Sequence, residues 1–592
     1  MATLSPTPLS RTRDLTQTAP GLSRYLYPVA IAALIAGGLL LRVHQLGRSL
    51  SIAEAWVANS ATANSLHDAF YYANWLQTTP PLFLCLIRLT VKLFGFSDLS
   101  LRAVPVACGV LALILFARLA QKMLTAPFAV LATALVALSP IAIVYSKEVK
   151  QYSSDVMATC LALLMLWGYL DNPDRRRYLW LLTSFSLMLL WSYDTAACLP
   201  LALGVIFFCR DSVDGQVPAR LRLIRCIAFA GVTGAITLLT DLIFIKPNRS
   251  PLLTNFWESG FPPHGVSNAV RFYLENVAAM GVSFYVPAQS QLKDALRVMV
   301  LALPLIIQLA LLMLIGLVVT GLVKVLRRSR NYRWAAVFCV VPLLTLLVLN
   351  GAHLYPISSR RLTLFLLPCV ALATAASLEG LWEISVGGLL NQRARVAISA
   401  AVTLVCVVGV PALAFTHIEW DVDRSEDGGH EAAFRYLKAQ VHADRDVLYV
   451  HALAEEPALL YFRMLRWQDA PVRYGSTGWP CCKRFVEERP RDPMQLREYV
   501  ARGFDSAVGP IREGDLWLLF VTAPALRADL REEPAIIDDR LTGAGCTKEL
   551  ERRFDSDLVQ EFQCSGPTRV TDFSDAGQSG FQVRLGRSVK GS

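Results

Sequence analysis

Charged residues are scarce in this chain. Asp, Glu, Lys and Arg make up 18% of its 592 residues, whereas 54% are hydrophobic and the mean hydropathy is +0.42. A soluble globular domain does not need so many long apolar runs, so this composition predicts a polytopic membrane protein. The net charge of +10 does not indicate nucleic-acid binding, because the basic residues cluster in short loops between apolar runs.

A pattern of metal ligands is also missing. The 8 histidines and 13 cysteines show no spacing typical of a metal site, and most cysteines are scattered through apolar runs as small buried hydrophobic residues. The exceptions are Cys481, Cys482, Cys546 and Cys564 in the polar C-terminal part, where disulfides are compatible with an oxidising compartment. Cys546–Cys564 is the preferred pair because it brackets a predicted hairpin or helix–strand unit, and free thiols are the alternative.

The apolar runs predict about eleven membrane helices. With a cytoplasmic N-terminus, nearly every basic cluster, such as Arg175–Arg177, falls in a loop on the inside, as the positive-inside rule requires. The first run is not followed by a clear cleavage site and predicts a retained helix rather than a signal peptide. The runs lie near 24–43, 101–120, 127–145, 154–170, 179–193, 195–209, 226–245, 298–323, 334–350, 362–380 and 396–416.

One further apolar segment, 80–95, is predicted to lie in the membrane interface. It is short, and Arg88 and Lys92 are four residues apart on one helical face, which is typical of an interfacial amphipathic helix. Counting it as a span would also invert every later loop and move Arg175–Arg177 to the outside.

The C-terminal part is different in character. Residues 417–592 are charged and contain two strand-like runs, Asp446–Val450 and Leu516–Val521, which predict a small α/β domain outside the membrane. The predicted organisation is a cytoplasmic tail (1–23), a helical membrane module (24–416) and this extracytoplasmic domain (417–592).

Polar residues collect in the loops predicted to lie outside. The stretch from Tyr145 to Asp155 is a charged segment between two apolar runs, and charge beside a bilayer is costly unless it faces a cavity, a partner or a substrate. It therefore predicts a catalytic mouth for an anionic lipid-linked substrate, with a solvated loop whose lysines lie at lipid headgroups as the alternative. Asp194, on another outside turn, is predicted to cap a helix, with a functional role as the alternative.

An ordered series of motifs resembles the GT-C membrane glycosyltransferases. The similarity is to the bacterial branch related to protein O-mannosyltransferases and to the aminoarabinose transferase of lipid A, a glycosyltransferase family 39-like group. It covers roughly residues 24–416. The motifs are Ala53-Glu54, Pro80-Pro81-Leu82-Phe83, the Phe-Gly-x-Ser step from Phe94 to Arg102, the Glu148–Asp155 loop, and the late loop from Tyr355 to Pro368.

The resemblance implies transfer of a hexosyl or pentosyl group from a polyprenyl-phosphate donor to a glycan, lipid or protein acceptor at the outer face of a bacterial inner membrane. Such chemistry needs a carboxylate to take the acceptor proton and cations to hold the leaving phosphate. The base implied is Glu54. The implied phosphate ligands are Lys150, Arg360 and Arg361, with Arg88 and Lys92 as weaker ones, and the supporting residues are Glu148, Tyr152, Asp155 and Tyr355.

Within that resemblance, Glu148 and Asp155 would orient the cations or bind a divalent cation, the only cofactor considered. Tyr152 would hydrogen-bond the phosphate or stack on the sugar. The chain departs from the family at Ala53, where the usual motif has an aspartate before Glu54.

Two other functional classes stay open. One is a transporter or lipid flippase, although the internal repeats and mid-helix charges typical of that class are lacking, and the other is a catalytically silent membrane scaffold.

Overall fold

The structure is a computed structural model. It describes residues 22–71, 78–209, 211–212, 215–249, 257–284, 330–357, 361–385, 429–475, 492–509, 514–521, 528–554 and 557–564. Contacts divide these residues into two compact units. The first comprises the described residues up to Ala432 together with Glu456–Arg466, and the second comprises the other described residues from Ala433 onward.

The α-helices are numbered in chain order. They are α1 (Leu22–Val43), α2 (Ile52–Ala61), α3 (Leu66–Phe70), α4 (Pro81–Phe94), α5 (Asp98–Met123), α6 (Ala126–Ala137), α7 (Pro140–Tyr145), α8 (Tyr152–Asp171), α9 (Arg175–Trp191), α10 (Leu199–Phe208), α11 (Ala219–Thr240), α12 (Val266–Ser283), α13 (Arg330–Gly351), α14 (Leu367–Ser385), α15 (His430–Gln440), α16 (Glu455–Met464), α17 (Pro493–Val508) and α18 (Ala528–Gly543).

The first unit is a helical membrane module. Five of its described helical segments are long and apolar enough to cross a membrane, which supports the predicted multi-pass protein. They are Tyr25–Val43, Asp98–Met123, Tyr152–Asp171, Ala219–Asn248 and Arg333–Gly351. The runs predicted near 298–323 and 396–416 lie outside the described residues, so the total of eleven spans stays a prediction.

The run predicted as one helix over 127–145 is two helices, α6 and α7. Pro140 has no N–H for a continuing helix, and Ser139 caps the new one by accepting a hydrogen bond from the Ala142 N–H. The Ser139 hydroxyl also donates to the Phe284 carbonyl oxygen at 2.7 Å. The prediction of a single helix here was wrong because the Ser-Pro signal was overlooked.

Helix α4 occupies the segment that was predicted to be an interfacial helix. Proline stands at its first position, where the missing N–H costs nothing, and Gly95 ends it with φ 85°. The location of α4 relative to a membrane stays a prediction.

The second unit is an α/β domain built on a five-stranded sheet of order β4-β3-β5-β7-β6. Strand β3 is parallel to β4 and β5, whereas β5–β7 and β7–β6 are antiparallel. The two strands predicted from sequence are confirmed as β3 and β5, and their buried residues pack with those of α17 and α18. The strands are β3 (Val447–Val450), β4 (Val472–Tyr474), β5 (Gly514–Val521), β6 (Cys546–Phe554) and β7 (Asp557–Cys564); a two-residue pair, β1 (Asp211–Ser212) and β2 (Gly215–Gln216), belongs to the first unit.

Cys546 and Cys564, the pair preferred from the sequence, are joined by a disulfide with an S–S distance of 2.09 Å. The two residues are direct partners in the β6–β7 ladder. Cys481 and Cys482 lie outside the described residues.

Candidate active site

Two carboxyl groups meet where α8 begins. Asp155 lies in the first turn of α8 and is 3% exposed, and Asp194 lies in the first turn of the 3₁₀ helix Tyr193–Cys198. The Asp155 carboxyl group lies within electrostatic reach of Asp194 and beside Ser192. We call Asp155 and Asp194 the acidic pair. Two carboxyl groups this close disfavour a double negative charge and are expected to share one proton.

Tyr355 supports the same conclusion from its hydrogen bonds. Its hydroxyl lies 2.8 Å from Asp194 Oδ1 and 2.7 Å from the carbonyl oxygen of Leu362. The hydroxyl has a single hydrogen, and a carbonyl can only accept, so both contacts are satisfied together when Asp194 carries a proton. Burial and the neighbouring Asp194 raise the pKa of Tyr355 well above its ordinary value, which keeps the phenol neutral.

Tyr152 and Arg361 complete this group, which we call the Tyr152 cluster: Tyr152, Asp155, Asp194, Tyr355 and Arg361. Tyr152 is buried, packs edgewise on Tyr145 with ring centroids 5.0 Å apart, and lies within electrostatic reach of Arg361, Glu148 and the acidic pair. The Arg361 guanidinium lies 5.4 Å from the centre of the Trp257 ring. The cluster therefore combines a shared proton with a guanidinium cation.

Glu54 does not belong to the Tyr152 cluster, and hydrogen bonds occupy both oxygens of its carboxylate. Its carboxylate is 1% exposed and accepts from Arg102 Nε at 3.1 Å and Arg102 Nη2 at 3.0 Å, and from the N–H groups of Ser51 and Val149 at 2.9 Å each. Burial by itself raises the pKa of Glu54, but Arg102 outweighs it, so the pKa falls below the ordinary value. This geometry is unfavourable for the general base that the sequence predicted.

The predicted phosphate ligands separate into three kinds. Lys150 is buried in the loop before α8, with its N–H donating to the Glu148 carbonyl at 2.7 Å, and Arg361 joins the Tyr152 cluster. Arg88 instead donates to the carbonyls of Ala61, Ala63 and Asn64, so it holds the end of α2, and Lys92 is exposed. Arg360 lies outside the described residues.

Asp194 joins the Tyr152 cluster although the sequence interpretation favoured a capping role for it over a functional one. It was predicted to cap a helix, but the N-cap of its 3₁₀ helix is Ser192. An acidic residue in a short turn between two apolar runs was the available signal. Among the described residues, no group of three or more His, Cys, Asp or Glu is arranged to hold a metal ion. A divalent cation therefore stays a prediction.

One part of the chain is similar to a known protein family. Residues 78–233 match the family profile for dolichyl-phosphate-mannose-protein mannosyltransferases. No curated protein sequence matches significantly.

Solved structures that are similar include ArnT from Cupriavidus metallidurans in the apo state (TM-score 0.49, 12% identity, covering 91% of this chain and 98% of that chain). ArnT bound to undecaprenyl phosphate gives a TM-score of 0.48 at 13% identity, with 92% and 98% covered. The apo oligosaccharyltransferase of Archaeoglobus fulgidus gives 0.43 at 14% identity, with 75% and 64% covered.

The profile match covers both members of the acidic pair, Lys150 and the whole of α4 and α8. It confirms, for this part of the chain, the predicted resemblance to membrane glycosyltransferases.

Proposed function

We propose that this protein is a membrane glycosyltransferase that moves a sugar from a polyprenyl-phosphate donor to an acceptor at the outer face of the membrane. Two observations support the proposal: the match over residues 78–233 to a family that uses a lipid-phosphate-linked sugar, and the Tyr152 cluster within and beside that region. The acidic pair is the observation that carries it, because transfer to a hydroxyl requires a group that takes a proton.

The reaction requires one bond to form and one to break. The acceptor oxygen attacks the anomeric carbon of the sugar, the bond from that carbon to the phosphate oxygen breaks, and polyprenyl phosphate leaves. The acceptor proton passes to the acidic pair, which has one ionised carboxyl group free to receive it when the other holds the shared proton. Arg361 and Lys150 stabilise the charge that develops on the leaving phosphate.

Glu54 then has a positioning role. It holds Val149, which is next to Lys150 in sequence, against Arg102 and the start of α2, and so fixes the loop that carries Lys150. The acidic pair takes over the proton-accepting role for which the family motif usually has an aspartate at the position of Ala53. We assign no phosphate contact to Arg88, because its guanidinium donates to the backbone at the end of α2.

The test compares Asp155→Asn and Asp194→Asn with Asp171→Asn, an exposed aspartate at the other end of α8. Lipids that accumulate in a deletion strain would be identified by mass spectrometry and supplied as donors to membranes containing each variant. We expect both cluster variants to lose about 100-fold or more of the transfer rate, since general base catalysis contributes about 10²–10⁴-fold, and Asp171→Asn to transfer normally.

Measuring donor binding distinguishes a loss of proton transfer from a folding defect in the two variants. The two cluster variants should still bind the donor, because the phosphate ligands are unchanged. Normal transfer by both variants would exclude the acidic pair from the reaction. Movement of an intact lipid-linked sugar across the membrane, with no sugar–phosphate cleavage, would favour a transporter, and neither activity would favour a scaffold.

A further inference from the structure

A buried amide joins two loops beside the Tyr152 cluster. Asn350 lies in the last turn of α13 and is 0% exposed. Its Nδ2 donates to the carbonyl oxygens of Gly260 and Tyr355, at 2.8 Å each. Gly260 ends the 3₁₀ turn Glu258–Gly260, and Tyr355 lies in the loop after α13. Because both partners are acceptors, the contact needs two hydrogens on one atom, and an amide is the uncharged side-chain group that has them.

Further contacts hold the same two loops together. The Ile357 N–H donates to the Gly260 carbonyl oxygen at 3.0 Å, so that oxygen accepts two hydrogen bonds, one from the amide and one from the loop. His353 has a φ of 56°, the left-handed conformation that commonly ends a helix, and its ring stacks on Phe261 with ring centroids 5.0 Å apart. The chain therefore turns at the end of α13 and returns to the side chain of Asn350.

Each of the two loops makes a contact with the Tyr152 cluster. The loop after α13 carries the Tyr355 hydroxyl, which lies 2.8 Å from Asp194 Oδ1. The 3₁₀ turn follows Trp257, whose ring centre lies 5.4 Å from the Arg361 guanidinium. The Trp257 carbonyl accepts from the Gly260 N–H at 2.8 Å, so the ring and the carbonyl held by the buried amide belong to one compact turn. One amide therefore fixes the backbone behind two contacts of the cluster.

We propose that Asn350 is a positioning residue of the transfer site, which holds the Tyr355 phenol against the acidic pair and the Trp257 ring beside Arg361. It acts through these residues and not on the substrate, and the inference rests on the proposed function. Tyr355, Trp257 and Arg361 all lie beyond residues 78–233, so a later part of the chain completes the site in the profile-matched region. A misplacement of about 1 Å at such a site costs about 100-fold in rate.

Transfer kinetics of the full-length protein test this role, with the lipid-linked donor recovered from a deletion strain. Asn350→Leu removes both donated hydrogen bonds, and Asn350→Ser keeps one donor. The matched control is Asn276→Leu on α12, where the Nδ2 donates at 2.9 Å to the Phe272 carbonyl of the same helix. We expect kcat per folded molecule to fall about 100-fold in Asn350→Leu and less in Asn350→Ser, with the donor KM little changed, and the control to transfer normally.

Hydrogen exchange, followed by mass spectrometry, measures the positioning without any activity. In Asn350→Leu the carbonyls of Gly260 and Tyr355 lose a donor, so we expect about 10-fold faster exchange in peptides that cover residues 257–264 and 352–357. Asn350→Ser should give a smaller increase in the same peptides. Asn276→Leu should change the exchange within α12 and leave the 352–357 peptides at the wild-type rate.

The two measurements separate the possible failures. Wild-type exchange in both loops of Asn350→Leu would overturn the positioning role, and so would normal kcat despite faster exchange. An equal loss of kcat in Asn276→Leu would also overturn it, because the effect would then not depend on the amide that joins the loops. If the wild type itself transfers no sugar from the donor, the proposed function fails, and the exchange result still shows whether Asn350 holds the two loops.

Discussion

Four hydrogen-bond donors converge on the carboxylate of Glu54, and two of them belong to one guanidinium. Such a carboxylate has no free lone pair directed at a substrate and binds a proton weakly. Its contacts link the start of α2, helix α5 and the loop before α8, which are far apart in sequence. At the scale of the single residue, Glu54 therefore contributes more to holding the loops together than to proton transfer.

Glu54→Gln should destabilise the protein and lower the transfer rate of the folded fraction far less than the substitutions of the acidic pair. The substitution leaves the Arg102 charge buried without its partner, which costs about 3–5 kcal/mol. The control is Glu275→Gln, which breaks an exposed pair with Arg271 on α12 and should leave the stability nearly unchanged. Thermal unfolding and the transfer rate per folded molecule would be measured together. Normal stability with lost transfer would restore Glu54 as the base.

The lowered pKa of Glu54 predicts that the stability of the protein falls at acidic pH. The pKa of Glu54 is lowered on folding, so its contribution is fully present above the ordinary glutamate pKa and is lost as the pH falls through the lower folded value. Part of the loss of stability below about pH 4 should therefore be missing in Glu54→Gln.

Local patterns explain how much of the site was predictable. Ser51 followed three residues later by Glu54 is a capping box, and the structure has both of its hydrogen bonds. Asp155 and Tyr152 stood out as polar residues at the start of an apolar run. The partners Arg102 and Asp194 could not be paired with them from sequence, because those contacts depend on how α5 and the Tyr193 turn pack against α8.

At the scale of the element, α5 shows the limit of hydropathy. Its apolar composition predicts a span, but its position depends on Gly109, where a single methyl group would meet Ser146 Cβ at 2.7 Å. The absence of a side chain there lets the loop before α8 approach the helix backbone. Hydropathy detects the helix and not this contact, just as it detected the run 127–145 and not its break at Pro140.

Gly109→Ala is therefore expected to destabilise the first unit by about 1–3 kcal/mol through overpacking. Gly168→Ala, in α8, is the matched control because no atom lies within 4 Å of the added methyl group. That variant should be neutral or slightly more stable, by up to about 1 kcal/mol, since alanine is the better helix former. Unfolding midpoints in the same detergent would compare the two. Equal effects would show that Ser146 moves away at little cost.

At the scale of the whole molecule, the proposed catalytic residues and the contact made by Arg225 lie at opposite ends of α8. The acidic pair and Tyr355 meet at its beginning, whereas Arg225, in α11, donates to the Pro173 carbonyl at 2.7 Å just beyond its end. A helix of this length spans about 30 Å, the thickness of the hydrocarbon layer. If the proposed catalytic residues face the outside, the end of α8 near Arg225 faces the cytoplasm, where the positive-inside rule predicts an excess of basic residues.

The disulfide gives this arrangement a direct test. If the C-terminal unit lies outside the cytoplasm, Cys546 and Cys564 should be bonded in cells, because disulfides persist in oxidising compartments. Mass spectrometry of unreduced, alkylated protein should then recover the linked peptides, with both thiols alkylated only after reduction. The double substitution Cys546→Ala and Cys564→Ala should cost about 3 kcal/mol, given the sequence separation of 18 residues. Free thiols at both positions in untreated cells would instead indicate that the C-terminal unit lies in a reducing compartment.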